Sequence, residues 1–145
     1  MDISIKITSK KPEKCEGRKA LKGLIEIGNS KETICVHLNQ WTQEDYERQW
    51  REGLDRLKNH NISCLVVSVN DPNDPKASTV IEWWPLYRVD NAVLIQNEKL
   101  SKKSYKKIVG KSPFTPETCY DFITPRETHT KDGHEISEWS VPWTE

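Results

Sequence analysis

The segment WTQEDYERQWREGLDRL, residues 41–57, constrains the fold most, because it carries the complete signals of one amphipathic helix. Thr42 is an N-cap residue whose hydroxyl can accept a backbone N–H of the first turn, and Asp45 stands where the reciprocal acid of a capping box belongs. Trp41 and Tyr46 are placed for a hydrophobic staple across this cap. The apolar stripe that follows consists of Tyr46, Trp50, Leu54 and Leu57. The segment therefore predicts a helix over about 42–58 that packs on a sheet.

The rest of the sequence predicts strands. Apolar runs bounded by turn residues indicate strands at 2–8, 21–28, 32–38, 62–69, 78–89, 92–100 and 134–141. Residues 9–20 are polar and predict a loop, and residues 101–133 predict a mostly irregular segment. Pro85 cannot donate to a strand ladder, so we expect an edge or a bulge there. The whole predicts one α+β domain over residues 1–145: a mostly antiparallel sheet of about six strands with one long amphipathic helix packed on one face.

The cysteines and the hydropathy of the sequence indicate where in the cell the protein is located. The four cysteines, Cys15, Cys35, Cys64 and Cys119, show no C-x-x-C spacing, and no signal peptide precedes the first strand. We therefore expect free, reduced thiols and a cytoplasmic protein. No apolar run approaches the roughly 18 residues that a membrane helix needs, so we expect no membrane partner.

The formal net charge is zero, but the charges are segregated along the chain. Residues 99–111 carry six lysines and no acid, whereas residues 112–145 carry seven acids and two basic residues. Such a division suits an electrostatically matched protein partner. The candidate interface residues are Lys102, Lys103, Tyr105, Lys106, Lys107, Glu135 and Glu138.

The lysine block leaves two other interpretations open. A solvated basic loop is the simplest interpretation of the block taken by itself, and a surface that contacts nucleic-acid phosphates fits it less well than a protein partner does. Tyr105 is the only aromatic residue in the block, which makes a thin stacking platform for single-stranded nucleic acid.

The tryptophans divide between core and candidate interface. Trp50 lies on the helix stripe and is expected in the core. Trp83 and Trp84 are neighbours in one strand and point to opposite faces, so at least one is expected away from the helix-covered core. An exposed tryptophan there would be a candidate interface anchor.

No motif indicates catalysis. The sequence contains no G-x-S-x-G, P-loop, G-x-G-x-x-G or H-E-x-x-H motif, and its histidine spacings match no zinc template. A nuclease-like trio could be drawn from His129, Lys107 and Tyr105, but nothing in the sequence orders it. We predict no catalytic residue, no metal site and no cofactor, with a small nuclease-like enzyme as the weakest alternative.

Three segments together resemble a known family. These are WTQEDYERQW at 41–50, EWWPLYRVDNAVLIQNE at 82–98, and YDFITPRETHTKDGHEISEWSV at 120–141. Their order and spacing resemble the immunity proteins of bacterial contact-dependent growth inhibition systems, the CdiI family. The middle segment is the most specific, because two tryptophans, a proline and a tyrosine seldom fall in one strand.

The resemblance implies a non-catalytic cytoplasmic protein. Such a protein would bind the C-terminal toxin domain of a cognate CdiA-type effector in a one-to-one complex and block its activity, which is often that of a nuclease. The lysine block at 99–111 departs from the family pattern as we expect it. No interface residue is therefore transferred from the family, and the candidates rest on charge alone.

Overall fold

The computed structural model describes residues 1–144, which form nine strands and two α-helices. The strands are β1 (Ile3–Ile7), β2 (Glu13–Cys15), β3 (Arg18–Ile27), β4 (Ser30–His37), β5 (Ile62–Val69), β6 (Thr79–Val89), β7 (Ala92–Gln96), β8 (Glu98–Ser101) and β9 (Glu138–Pro142). The helices are α1 (Gln43–Asp55) and α2 (Lys102–Ile108), with 3₁₀ turns at Arg56–Lys58 and Cys119–Phe122. All strand pairs are antiparallel, so the predicted α+β class is confirmed.

The strands divide between two sheets, where the sequence predicted about six strands in one sheet. In the first sheet, β3 pairs with β4 on one edge and with β1 and β2 on the other. In the second sheet the order is β5, β6, β7 and β9, and β8 pairs with β6 beside β7. Side chains of both sheets and of α1 contribute to one hydrophobic core. Within residues 1–144, neither helix has the length and apolar character that crossing a membrane requires.

The segment predicted as a loop at 9–20 contains strand β2. The turn between β2 and β3 is Glu16-Gly17, and both residues have positive φ, at 55° and 76°. Two successive positive φ angles define the tight turn that matches the twist of a hairpin. Glutamate is not a typical residue for that conformation, which is why the sequence pattern did not reveal this hairpin.

The prediction of four reduced thiols is wrong for one pair. Cys15 on β2 and Cys35 on β4 form a disulfide, with their Cα atoms 6.3 Å apart. The two strands flank β3, so this pairing depends on the fold of the first sheet and not on a sequence spacing. Cys64 and Cys119 are free and buried.

Pro85 interrupts the second sheet from within. It lies in β6, an interior strand, opposite Cys64 of β5. On the other side of β6, β7 pairs only as far as Leu86, and β8 begins its pairing at Trp83. Proline has no N–H to donate, so the strand predicted at 92–100 is broken into β7 and β8 around Asn97. The expected edge position of Pro85 is wrong, and the register shifts of β6 with its neighbours lie elsewhere, between Val66 and Ser68 of β5 and between Thr79 and Ile81.

Helix α1 begins as its sequence predicts. The Thr42 hydroxyl accepts the Asp45 N–H at 3.1 Å, and the Asp45 carboxylate accepts the Thr42 N–H at 2.9 Å, which completes the capping box. The Trp41 and Tyr46 rings lie 5.2 Å apart, as expected for the staple. Trp50 is buried, and its indole N–H donates to the Val66 carbonyl at 2.7 Å. These contacts fasten α1 along strand β5.

Candidate interaction surfaces

The lysine block folds as a helix, so the irregular structure predicted for this part of the chain is wrong at residues 102–108. Helix α2 follows strand β8 directly, and the Ser101 hydroxyl caps it by accepting the Ser104 N–H at 3.3 Å. Tyr105, Ile108 and Val109 pack toward the core. Four lysines in seven residues hide this apolar side, because they leave no stripe long enough to be recognised in the sequence.

The lysines of α2 do not all face the same way. Lys103, Lys106 and Lys107 are exposed, and their spacing of three and four residues places them on one face of the helix. Lys102 is half-buried and lies near Asp74, whose pKa is held below its ordinary value first by a hydrogen bond from the Lys76 backbone and also by the charge of Lys102. Within residues 1–144, none of these four lysines forms an ion pair. We call the three exposed residues the lysine stripe.

A cleft of about 410 Å³ opens between α2, the start of α1 and the segment 112–116. Its apolar walls are formed by Trp41, Pro72, Tyr105, Pro113, Phe114 and Pro116. Burial raises the pKa of Tyr105 above its ordinary value. The predicted interface residue Tyr105 therefore lines this cleft, and the helical spacing places Lys103 and Lys107 on the opposite side of α2.

Two of the polar side chains in this cleft form hydrogen bonds within the protein. Asn70 donates its side-chain amide to the Thr79 carbonyl at 3.1 Å and accepts the Asn39 amide at 2.7 Å. The Trp41 indole N–H donates to the Phe114 carbonyl at 3.3 Å. These two groups are therefore not free to bond a partner in the cleft.

Glu138 and Glu135 occupy very different environments. Arg126 donates two hydrogen bonds to the Glu138 carboxylate, at 2.8 and 2.7 Å, and Gln96 donates a third at 2.8 Å. The hydrogen bonds from Arg126 hold the pKa of Glu138 below its ordinary value. Glu135 is exposed, in an isolated bridge with His129, and has no ion-pair partner within the described chain. Of the two predicted acids, Glu135 is the one available to a partner.

The predicted interface residues form two surfaces. Gln96, at the end of β7, pairs with Glu138, whereas Ser101, at the end of β8, caps α2. Five residues of extended chain separate these points, which corresponds to roughly 16 Å. We call residues 128–138 the acidic arm, since they carry both predicted acids. The lysine stripe and the acidic arm are thus separate candidates.

A third surface was missed by sequence reasoning. Ile62 and Val89 are the exposed large hydrophobic residues of the described chain, at 38% and 44% exposure. Ile62 pairs with Tyr87, two residues from Val89, so the two side chains lie diagonally on the same face of the second sheet. Leu94, which pairs with Tyr87 on the other side, is half-buried on this same face. The sequence carried no signal for it, because β7 reads Ala-Val-Leu-Ile-Gln without alternation of polar and apolar residues.

The expected exposed tryptophan is not found. Trp83 and Trp84 do point to opposite faces, but their exposures are 1% and 3%. The Phe114 ring lies 5.7 Å from Trp83, and the Trp139 ring lies 5.2 Å from Trp84. The segment after α2 covers one face of β6. Because that segment was predicted to be irregular, this cover was not expected.

His37 has a structural role, and His129 lies on a different element from the other two residues considered for catalysis. His37 is buried, with one ring nitrogen 2.6 Å from the Ser68 hydroxyl and the other 3.0 Å from the Cys15 carbonyl, so it links the two sheets. The nuclease-like trio is not assembled on one element: Tyr105 and Lys107 lie on α2, and His129 lies on the acidic arm. The one cluster of potential metal ligands within residues 1–144 is Cys15, Glu16 and Cys35, and its two sulfurs are joined in the disulfide.

Comparison with known proteins defines the class. A curated relative, the immunity protein CdiI of Enterobacter cloacae subsp. cloacae, is 32% identical over 129 residues, which are 88% of this chain and 83% of the relative. A solved structure, the CdiA-CT/CdiI toxin and immunity complex from Enterobacter cloacae, matches with a TM-score of 0.76 and 30% identity. The match covers 98% of this chain and 90% of that chain. The fold is therefore that of an immunity protein.

The family follows from these matches. The family model described as the CdiI N-terminal domain matches residues 36–145 of the sequence. The chain belongs to this CdiI family, as the motifs at 41–50, 82–98 and 120–141 indicated.

Proposed function

We propose that this chain is an immunity protein that binds and neutralises the C-terminal toxin domain of a cognate CdiA-type effector. The observation that carries the proposal is the likeness, over 98% of the chain, to a solved toxin and immunity complex. The relative that is 32% identical is itself named an immunity protein. A rigid two-sheet scaffold with charged, unpaired surface groups suits such an inhibitor, because electrostatic steering speeds the encounter with a partner.

The proposal has further parts. The protein acts by binding and not by catalysis, and residues 1–145 form one domain. It forms a one-to-one complex with the toxin domain in the cytoplasm. The toxin domain is a nuclease. Placement in the cytoplasm has a consequence for the disulfide, since cellular thiols there favour reduction of the Cys15–Cys35 pair.

Two surfaces are the proposed contacts with the toxin domain. The α2 surface carries Lys102, Lys103, Tyr105, Lys106 and Lys107, and the acidic arm carries Glu135 and Glu138. Unpaired exposed charges are the groups that can form new ion pairs in a complex without breaking old ones. On this ground the lysine stripe and Glu135 are stronger candidates than Glu138, which already binds Arg126.

Co-expression tests the function directly. We expect the toxin domain in a large exported protein encoded immediately upstream, and that domain is induced in a bacterial host with and without this chain. We expect growth arrest without the chain and growth with it, and a one-to-one complex on purification. A toxin domain from an unrelated system is the control and should still arrest growth. If the cognate toxin domain kills cells that make the folded chain, the proposed function is wrong.

The nuclease part is tested separately. The purified toxin domain is incubated with RNA and with DNA, alone and after addition of an equal amount of this chain. We expect degradation of one of the two nucleic acids, and protection when the chain is present. Growth rescue without any degradation of either substrate would retain the immunity function and reject the nuclease assignment.

A further inference from the structure

We propose that the reduced chain binds one zinc ion through the thiolates of Cys15 and Cys35 and the carboxylate of Glu16. This site goes beyond the proposed function and includes none of the residues proposed to contact the toxin domain. It was not predicted from the sequence, because the two cysteines are 20 residues apart and meet only through the pairing of β2 and β4 with β3.

The three donor groups converge at one end of the first sheet. The two sulfur atoms and a carboxylate oxygen of Glu16 all lie within 4.8 Å of one another. A tetrahedral zinc ion with Zn–S bonds of about 2.3 Å holds its two sulfurs roughly 3.8 Å apart. The Cα atoms of Cys15 and Cys35 are 6.3 Å apart, and once the disulfide is open, rotation of the side chains brings both sulfurs to such an ion.

The backbone holds the two cysteines as neighbours when the disulfide opens. Both β2 and β4 pair with β3 through backbone hydrogen bonds that do not involve the sulfurs. The Cys15 carbonyl oxygen also lies 3.0 Å from one ring nitrogen of His37, whose other ring nitrogen lies 2.6 Å from the Ser68 hydroxyl. The two thiols are therefore preorganised, and an ion that joins them has little chain entropy to overcome.

Glu16 supplies the third ligand from a conformation that side chains seldom adopt. Its φ is 55°, in the left-handed region, immediately after Cys15. Strained backbone conformations of this kind cluster at functional sites. Its carboxylate is exposed and forms no ion pair within residues 1–144, so it is free to bind a metal. The Arg18 guanidinium donates to the Glu16 carbonyl at 3.2 Å, and its charge favours three anionic ligands around one zinc ion.

Donor chemistry and access select zinc at this pair of cysteines. Thiolates are soft ligands that favour zinc over magnesium or calcium. Cys15 and Cys35 are half-buried, so an ion can reach them from solvent. The other two thiols, Cys64 and Cys119, are buried. Burial raises the pKa of the Cys64 thiol, which opposes formation of the thiolate that a metal needs.

Reduction of the disulfide precedes binding. Two molecules of glutathione give two electrons and two protons to the disulfide, so that the S–S bond breaks into two thiols and glutathione is oxidised to its own disulfide. Zinc then replaces both thiol protons, which pass to solvent, and it forms two Zn–S bonds and one Zn–O bond with water at the fourth position. In the proposed cytoplasmic location, the ion replaces the disulfide as the cross-link between β2 and β4.

The test compares the purified full-length chain in its reduced and oxidised forms. Zinc is titrated in competition with a chromophoric chelator, and cobalt(II) serves as a spectroscopic probe of the ligands. We expect one zinc ion per reduced chain and an affinity at least about a hundredfold weaker for the oxidised chain. Magnesium should not compete with zinc. Cobalt(II) bound to the reduced chain should show the charge-transfer absorption of thiolate ligands.

Variants identify the ligands, after circular dichroism has shown that each is folded. The double variant Cys15→Ser and Cys35→Ser retains the two buried thiols and should bind zinc about a hundredfold more weakly or worse. Glu16→Gln should weaken binding by about tenfold or more. Its matched control, Glu13→Gln, removes an exposed acid of β2 and should bind within about threefold of wild type.

Three results would overturn the inference. Equal zinc affinities of the reduced and oxidised chains would show that the two thiols do not bind the ion. Unchanged affinity in the folded double variant would place the metal elsewhere. Unchanged affinity in Glu16→Gln would remove Glu16 from the ligand set and with it the three-ligand site. None of these measurements involves the toxin domain, so their outcome is independent of the proposed function.

Discussion

Gln49 of α1 completes the open edge of strand β5 through Val66. Its side-chain oxygen accepts the Val66 N–H at 2.8 Å, and its nitrogen donates to the Cys64 carbonyl at 2.8 Å. The glutamine thereby makes the two hydrogen bonds that a neighbouring strand would otherwise make. The same nitrogen lies 3.1 Å from the Tyr120 hydroxyl, which ties the segment after α2 to this point. A buried strand edge is thus closed by a side chain of the helix.

Replacement of Gln49 by leucine should be strongly destabilising although it makes the helix more apolar. It leaves the Val66 N–H and the Cys64 carbonyl buried and unpaired, and each such group costs about 1–3 kcal/mol. We expect the free energy of unfolding to fall by about 2–4 kcal/mol in urea titrations at neutral pH. Gln43→Leu, at an exposed position on the same helix, is the matched control. Equal stabilities of the two variants would show that the edge is not closed in this way.

Local signals were sufficient to predict α1 and most strands, because caps, stripes and alternation are properties of neighbouring residues. Thr42, Asp45 and the staple of Trp41 on Tyr46 occur as expected. The role of Gln49 could not be predicted from the sequence, since a polar residue beside the stripe forms these hydrogen bonds only when β5 lies against the helix. The same limit applies to the disulfide and to the division of β7 from β8, which depend on strands brought together by the fold.

The residue types of the candidate site could be predicted from the sequence, but their arrangement in three dimensions could not. The excess of lysine at 99–111 is visible in the sequence, but the helix that sorts these residues into an exposed stripe is stabilised by packing. The cleft could not be predicted at all, because its walls come from four distant parts of the chain, around Trp41, Pro72, Tyr105 and Phe114. The exposed pair Ile62 and Val89 likewise requires the register of β5 on β6.

Gly53→Ala should destabilise the protein, contrary to the helix propensities of the two residues. In an exposed helix interior, alanine is favoured over glycine by about 1 kcal/mol. A Cβ atom at Gly53 would collide with the Cys64 carbonyl oxygen and lie 3.0 Å from the Gln49 side-chain nitrogen. Overpacking of this kind costs about 1–3 kcal/mol, and a backbone neighbour cannot move aside as a side chain can. We expect a net loss of about 1 kcal/mol in unfolding free energy, the overpacking cost less the gain in helix propensity.

The control for this prediction is Glu52→Ala, one residue earlier and exposed. It should change the unfolding free energy by no more than about 0.5 kcal/mol. A Gly53→Ala variant that is as stable as wild type, with an unchanged circular dichroism spectrum, would contradict the close approach of α1 to β5.

The Cys15–Cys35 bond should make stability depend on the redox state. The cysteines are 20 residues apart, and closing a loop of this size stabilises a protein by about 3 kcal/mol through the unfolded chain. Thermal unfolding with and without a reducing agent should therefore show a lower midpoint for the reduced protein. The Cys15→Ser and Cys35→Ser double variant should match the reduced protein and show no response to reductant. A wild-type midpoint unaffected by complete reduction, verified by thiol titration, would rule out this contribution.

The Arg126–Glu138 pair should make stability fall in acid. The hydrogen bonds from Arg126 place the folded-state pKa of Glu138 below its ordinary value of 4.5. A lowered folded-state pKa means that the carboxylate contributes stability above the ordinary value, and that this contribution is lost as pH falls through the lowered one. Glu138→Gln should therefore be less stable than wild type at pH 7, and the difference should shrink as the pH is lowered below about 4.5.

The measurement is a series of urea titrations of wild type and Glu138→Gln from neutral pH into acid. The matched control is Glu135→Gln, which removes an exposed carboxyl group that pairs with no base within residues 1–144. Its unfolding free energy should equal that of wild type at every pH, because no ion pair is broken.

The two acids are also expected to differ in toxin binding. Glu135→Lys should weaken the complex at unchanged stability, whereas Glu138→Lys should destabilise the fold itself by repelling Arg126. A stability difference between wild type and Glu138→Gln that stays constant with pH would mean that the pair does not stabilise the folded state.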